Sequence, residues 1–222
     1  MNARVRTLRS RTSMRGQSMV ELVIITPVLL FLLLAVIQAV LLYRMKSTLD
    51  YATLMAARAG AVSGVDREEM RKGLAKGMMP LHVHETGQAA VEQGFWAAYY
   101  DLRVNSQITV ISPTRAAWNN FKERQYDGSY ALPNDTLAYR STAIGSSGVN
   151  VQDANILKIK VVYNAKLDVP FVDWVLGGKS QYLKPGTFES SPLQTFTRRL
   201  PIESYAIVRM QSPIYTQGNL DK

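Results

Sequence analysis

Residues 22–43 read LVIITPVLLFLLLAVIQAVLLY, a run of 22 residues without a charged side chain. Only Thr26, Pro27 and Gln38 interrupt its aliphatic content before Tyr43 closes it. A helix of this length spans about 33 Å, enough to cross the hydrocarbon core of a bilayer. A buried helix of a soluble domain is seldom apolar on every side over such a length. The run therefore predicts a transmembrane helix.

Basic residues crowd the N-terminal side of this run. The first sixteen residues contain no Asp or Glu and hold Arg4, Arg6, Arg9, Arg11 and Arg15. Without these arginines the net charge falls from +9 to +4. The excess of basic residues is therefore concentrated in the tail, which argues against a nucleic-acid-binding surface on the rest of the chain. The positive-inside rule places the arginine-rich tail in the cytoplasm and the chain from about residue 45 onward outside it.

A cleaved secretory signal is the first alternative for this segment. Such a signal combines a basic start with a shorter apolar region and a small-residue cleavage site after that region. Here the apolar run is long, and Arg44, Met45 and Lys46 follow it. This order of residues favours a retained helix.

The junction between tail and apolar run, residues 15–21, reads RGQSMVE. Gly16 has no side chain to obstruct a protease that approaches the backbone. Glu21 is the only charged residue between Arg15 and Arg44. A carboxylate inside a membrane helix costs about 2.5–3.5 kcal/mol at the centre and less near the interface, so a positively charged partner would stabilise it. The alternative is that Glu21 snorkels to the interface and favours the N-terminus of the helix.

The order of basic tail, glycine, glutamate five residues later and apolar helix resembles the prepilin peptidase site of type IV pilins. The resemblance implies cleavage between Gly16 and Gln17 on the cytoplasmic face, with the helix retained. Gln17 then supplies a new amino terminus, and Glu21 becomes the fifth residue of the mature chain. In that family the pairing of this carboxylate with the amine, within one subunit or between neighbours, helps to dock and register subunits in the filament.

The wider stretch narrows the family. Residues 15–38, RGQSMVELVIITPVLLFLLLAVIQ, are similar to the start of TadE-like pseudopilins of tight adherence (Tad) pilus systems. The continuation at residues 51–61, YATLMAARAGA, is similar to the Ala-rich stretch into which their membrane helix commonly runs. The resemblance covers residues 14–62. TadF-like sister proteins share the N-terminal pattern and stay open as an alternative, whereas TadG-like proteins are usually much longer.

After the apolar run, apolar and small residues first recur at helical spacing, which predicts helices. Further along the chain they alternate with polar residues, which predicts strands. The predicted helices are one long helix ending at about Val62, a second from Asp66 to Lys76, broken by Pro80, and a third from Thr86, its N-cap, to Leu102. The predicted strands are 104–110, 157–169, ended by Pro170, and 200–210. Long polar loops are expected at 125–155 and 177–192.

These elements predict an α+β protein, with a long N-terminal transmembrane helix followed by a small domain of helices packed on an antiparallel sheet. The predicted division is a basic cytoplasmic leader at 1–16, the transmembrane helix and its extracytoplasmic continuation at 17–62, and a periplasmic α+β domain at 63–222.

The sequence shows no strong candidate for a disulfide, a metal site or a phosphate-binding loop. The chain has no cysteine, which excludes disulfides and thiolate metal sites. His82 and His84 precede Glu85, but no third or fourth metal ligand is evident, so we expect no metal site and no cofactor. Gly177-Gly178-Lys179-Ser180 lacks the first glycine of a phosphate-binding loop at the required spacing.

Aromatic and basic residues of the body are interpreted structurally. Lys158, Lys160 and Lys166 form a basic strand face, which we expect to be solvated because no aromatic residue interleaves with it. We expect the aromatic side of the third helix to pack in the core, and the tryptophans to be core anchors. These residues are Phe95, Trp96, Tyr99 and Tyr100 on the helix, with Trp118 and Trp174 elsewhere.

The resemblance implies a non-enzymatic minor pilin or pseudopilin in the bacterial inner membrane, with its C-terminal domain in the periplasm. Its expected role is initiation, support or capping of an adhesive pilus. The implied partners are the prepilin peptidase, sister pseudopilins, pilus platform proteins with their secretion ATPase, and membrane lipid. Contact with the major pilin and entry into the fibre stay open.

Two rivals remain. The longer type IVb major pilins usually carry a disulfide, which this chain cannot form. An uncleaved single-pass anchor carrying a periplasmic binding module predicts an intact leader.

Overall fold

A single long helix, α1 (Arg15–Val62), joins the apolar span to the body of the protein. The computed structural model describes residues 15–83, 85–169, 172, 175 and 199–221. The helix passes through Pro27 without a break and ends at Val62, where its end is predicted. Gly64 follows with φ +67°, a left-handed conformation that glycine adopts without a Cβ penalty.

The second helix, α2 (Arg67–Met78), begins as the sequence predicts and runs two residues further. Asp66 is its N-cap, and its carboxylate accepts hydrogen bonds from the backbone N–H groups of Glu68 and Glu69. Pro80 then lies in a short 3₁₀ turn, Met79–Leu81. Helix α2 packs along the C-terminal half of α1.

The third helix, α3 (Gln88–Asn105), is shifted from its predicted position. Gly87, with φ +129°, is the N-cap, so the prediction of Thr86 as N-cap is wrong. At the other end, Asn105 Nδ2 donates to Asp101 and Ser106 Oγ donates to the Leu102 carbonyl, which extends the helix past Leu102. Val104 is therefore helical, and the first strand begins later than predicted.

The main sheet has three antiparallel strands in the order β1-β4-β5. They are β1 (Ser106–Ser112), β4 (Ile156–Lys166) and β5 (Arg199–Arg209). Every second residue of β4 from Leu157 to Ala165 is buried, which confirms the predicted alternation. The other face of β4 is only partly buried. Pro170, predicted to end this strand, lies outside the described residues, and β4 ends at Lys166.

The predicted loop at 125–155 contains more structure than expected. Helix α4 (Arg115–Phe121), which the sequence pattern did not predict, precedes it, with Thr114 Oγ1 accepting from the Ala117 N–H at 3.1 Å. A small antiparallel pair then forms from β2 (Glu123–Arg124) and β3 (Tyr130–Ala131), and α5 (Val151–Ala154) leads into β4. Leu132, Leu137 and Val151 are buried, so apolar residues of this stretch belong to the core. The predicted loop at 177–192 lies outside the described residues.

The core lies between α1 and α2 on one side and the sheet on the other. Its members come from the C-terminal half of α1, from α2 and from the inward face of β4, and include Leu49, Ala52, Ala56, Leu74, Met78, Ile159 and Val161. The protein is α+β, with a long N-terminal apolar helix followed by helices and an antiparallel sheet, as the sequence predicts.

Candidate functional site

The predicted cleavage site lies in α1. Gly16 and Gln17 are both helical, close to the N-terminal limit of the described residues. The leader arginines Arg4, Arg6, Arg9 and Arg11 lie outside the described residues.

Glu21 lies one helical turn after Gln17. Residues four apart on a helix lie on the same face, with about 5–6 Å between their Cβ atoms. The Glu21 side chain is exposed on the outside of α1. An amine created at Gln17 would therefore lie within reach of the Glu21 carboxylate, and a neighbouring helix would have access to the same carboxylate.

Residues 19–30 of α1 are exposed on all sides, whereas Phe31, Leu34 and Ala35 are partly buried. Large apolar side chains along it, including Leu22, Ile25, Leu29 and Leu32, are 56–66% exposed. Among the described residues, one helix segment, Met19–Val62, is long and apolar enough to cross a membrane, and its most apolar window has a mean hydropathy of 2.9 with none of it buried. An exposed apolar surface of this size requires lipid or another apolar helix. The N-terminal half of α1 has the length and the apolar surface of a membrane anchor.

The C-terminal half of α1 is instead part of the folded body. Small residues allow α2 to approach it closely. A Cβ built on Gly73 would lie 2.9 Å from the Met55 carbonyl oxygen, and a Cβ on Gly77 would lie 2.6 Å from the Ala52 Cβ. Gly60 also lies close to both neighbours of α1, because a Cβ there would lie 2.7 Å from the sulfur of Met70 in α2 and 3.2 Å from Cδ2 of Leu157 in β4. The anchor and the body therefore share one continuous element.

Gln38 marks the change between the two halves. It lies within the apolar run, yet it is only 1% exposed. Its Oε1 accepts a hydrogen bond from the backbone N–H of Val169, just after β4, at 3.0 Å. The sequence analysis noted Gln38 only as an interruption of the apolar run. A buried amide in a membrane helix usually has a partner, and that signal was present in the sequence.

A second polar cluster lies beside α1 just above the apolar run. The Tyr163 hydroxyl donates to Asp101 Oδ2 at 2.6 Å, and Asn105 donates to Asp101 Oδ1 at 2.7 Å. Arg199 approaches the same carboxylate at 3.7 Å and donates to the Asn164 carbonyl at 3.0 Å. Burial and the adjacent Asp101 charge raise the pKa of Tyr163 well above its usual value. The phenol therefore stays protonated and joins β4 to α3.

A cavity of about 320 Å³ adjoins this cluster, lined in part by Met45, His82, Lys166 and Asp168. Its charged groups are paired, because Lys166 contacts Asp168 at 3.2 Å. On β4 and β5, Lys160 contacts Glu203 at 2.7 Å. Two of the three lysines of the basic strand face, Lys160 and Lys166, are thus held in ion pairs. His84 lies outside the described residues, and no group of three or more potential metal ligands occurs within the described part of the chain.

The aromatic residues of α3 divide between two environments. Phe95 and Tyr99 are partly buried and pack against the core, as predicted. Trp96 is 52% exposed and Tyr100 is 61% exposed, so core packing is wrong for these two, and the Trp96 and Tyr99 ring centroids lie 5.8 Å apart. Tyr99 donates to Glu68 at 2.8 Å, which lowers the pKa of that carboxyl. Trp118 is buried, as predicted, and its indole N–H donates to the Ile214 carbonyl at 2.7 Å. Trp174 and Gly177–Ser180 lie outside the described residues.

The comparison with known families gives a match over the predicted cleavage site and the apolar part of α1. The model of the family described as TadE-like protein matches residues 16–58, from the leader glycine through the membrane span to the Ala-rich packing surface of α1. The match ends before α2, so it covers less than half of the chain. No curated protein and no solved structure matches the chain significantly. Residues 16–58 are therefore similar to TadE-like proteins.

Proposed function

We propose that the protein is a minor pilin or pseudopilin of a Tad-type pilus, with a structural and not an enzymatic role. One observation carries the proposal: the TadE-like match places Gly16, Glu21 and the apolar span in one segment, and that segment forms one helix with its apolar half exposed. A lipid anchor needs such a surface before assembly. A filament or its base needs the same surface for contact with sister helices.

The proposed topology follows from charge. The arginine-rich leader stays in the cytoplasm, the span crosses the inner membrane once, and the α+β body lies in the periplasm. The prepilin peptidase then reaches the bond after Gly16 from the cytoplasmic side. Removal of the leader also removes its five arginines, which hold the N-terminus at that face.

Cleavage creates a positively charged group close to Glu21. The new amine at Gln17 carries a positive charge, and Glu21 lies one turn away on the same helix face. In an assembly, the amine of one subunit pairs with Glu21 of its neighbour and sets the axial position of the two helices. The body then contacts sister pseudopilins and platform proteins, and the subunit initiates, supports or caps the pilus.

The N-terminal mass of the membrane-purified protein tests this function. We expect a chain that begins at Gln17 when the prepilin peptidase is present and a full-length chain when it is deleted. A Gly16→Leu variant is the matched control and should keep its leader in both strains. A leader that persists in every sample would contradict the pilin assignment and favour the uncleaved anchor with a periplasmic binding module.

A further inference from the structure

Four exposed residues lie on the side of α3 that faces away from the core: Glu92, Trp96, Tyr100 and Arg103. We call them the outer face of α3. At 3.6 residues per turn, the four side chains project within about 80° of one another around the helix. The buried residues of the helix, such as Ala98, lie on the opposite side. The body therefore leaves this face open to solvent.

Two aromatic rings form the centre of the outer face. Trp96 and Tyr100 are 52% and 61% exposed, and their ring centroids lie 6.0 Å apart. The neighbouring Tyr99 ring contacts both, and its hydroxyl is fixed by the hydrogen bond to Glu68. Side chains that are held in place before binding lose little conformational entropy, and Trp and Tyr are common at the centres of protein interfaces. The aromatic pair therefore has the properties of a protein contact surface.

A charged residue lies at each end of this aromatic pair. Glu92 is one turn before Trp96, and Arg103 is about one turn after Tyr100. Glu92 and Arg103 are about 16 Å apart along the helix axis. Neither belongs to an ion pair among the described residues. Arg103 makes one long hydrogen bond, from Nη1 to the Tyr99 hydroxyl at 3.5 Å, which leaves its other N–H groups for a further acceptor.

The order of these residues makes the outer face complementary to itself. Position 98 lies midway between Trp96 and Tyr100, and the midpoint between Glu92 and Arg103 falls half a residue earlier. A second α3 helix that runs antiparallel about this centre brings Trp96 of one copy against Tyr100 of the other. It also brings Glu92 of each copy opposite Arg103 of the other, so a two-fold arrangement contains two pairs of opposite charge. A parallel arrangement would instead bring like charges together.

We propose that the outer face of α3 binds the same face of a second copy of the chain, with the two α3 helices antiparallel. One helix face is small compared with the interfaces of stable soluble complexes, so this dimer is weak and forms where the chain is concentrated in a membrane. The contact goes beyond the proposed pilus function, because it requires neither leader cleavage nor another pilus protein.

Cross-linking in membranes tests the proposal, because the chain has no native cysteine. The full chain carrying Ala97→Cys is expressed alone in a bacterium without Tad genes, and its membranes are treated with a short bis-maleimide cross-linker. Position 97 is exposed and adjoins the centre of the pairing without belonging to the outer face. Glu92→Arg, Arg103→Glu and the double reversal are then introduced into this chain. The matched control is Arg124→Glu, the same charge change at an exposed position in β2.

We expect a cross-linked product of twice the chain mass, about fivefold less of it with either single reversal, and full recovery with the double reversal. Arg124→Glu should leave the yield unchanged. The absence of a cross-linked dimer before any reversal overturns the proposal, and so do equal yields from all the variants. A double reversal that fails to restore the yield also overturns it, because the charges opposite Glu92 and Arg103 would then not belong to a second copy.

Discussion

A Cβ built on Gly77 of α2 would lie 2.6 Å from the Cβ of Ala52 of α1, closer than real Cβ atoms approach. Gly73, one turn earlier, meets the α1 backbone at Met55 in the same way. The two helices are therefore in backbone contact. The helix that carries the apolar span is also the central packing element of the folded body.

Replacement of Gly77 by Ala should destabilise the body. The added methyl group forces α2 away from Ala52, and overpacking of this kind costs about 1–3 kcal/mol, more than the gain of about 1 kcal/mol in helix propensity. Denaturant unfolding in detergent micelles, followed by circular dichroism, measures the change. Gly218→Ala is the control, because its nearest neighbour would lie 3.7 Å away. Equal stability of the Gly77→Ala and Gly218→Ala variants would show that the helices do not need this close approach.

Replacement of Glu21 by Ala should impair pilus assembly more than leader cleavage. The change removes the carboxylate that the amine of Gln17 would pair with, while Gly16 and the apolar span remain. The readouts are the mass of the membrane-bound protein and the amount of surface pilus. Thr26→Ala is a matched control on the same exposed half of α1, since its hydroxyl bonds only the Leu22 carbonyl at 2.7 Å. Normal pilus formation by the Glu21→Ala variant would remove Glu21 from the mechanism.

Replacement of Gln38 by Leu should release the turn after β4. The Val169 N–H then loses its acceptor, and an unsatisfied buried donor costs about 1–3 kcal/mol. Hydrogen exchange of the Val169 amide should become faster, and the free energy of unfolding should fall. Val36→Leu, at an exposed position on the same helix, should leave both unchanged. Unaltered exchange at Val169 in the Gln38→Leu variant would mean that this bond does not hold the turn.

The elements with a strong period were predictable from sequence. The long apolar run predicted a helix, and the alternation from Leu157 to Ala165 predicted a half-buried strand. Both elements are confirmed, as α1 and β4. The start of α2 was predicted at Asp66 from the acidic residues there, and the structure shows Asp66 as its N-cap.

The predictions that were wrong, and the contact that was not predicted, depend on tertiary structure and not on a local pattern. Thr86 has the usual chemistry of an N-cap, but α3 begins after Gly87, which adopts a positive φ. Trp96 and Tyr100 are apolar enough for a core, yet the face of α3 that packs against the body is the one with Gly94 and Ala98. The bond from Val169 to Gln38 joins residues 131 positions apart, and no local pattern predicts such a pairing.

Replacement of Tyr163 by Phe should destabilise the protein at neutral pH and reduce its loss of stability at high pH. The hydroxyl donates to Asp101 at 2.6 Å in a buried site, and a hydrogen bond to a charged group contributes about 1.5–3 kcal/mol. Burial and Asp101 raise the pKa of Tyr163 in the folded protein, so its stabilising effect is complete below the unfolded value of about 10 and decreases as the pH rises above it. The stability difference between the native chain and the Tyr163→Phe variant should therefore be smaller at about pH 11 than at about pH 7. Tyr205→Phe is the control, because that exposed hydroxyl bonds Glu203 at 3.1 Å in solvent, and its effect should be small at both pH values. A difference for Tyr163→Phe that stays constant across this range would mean that the phenol is not held in its protonated form by the fold.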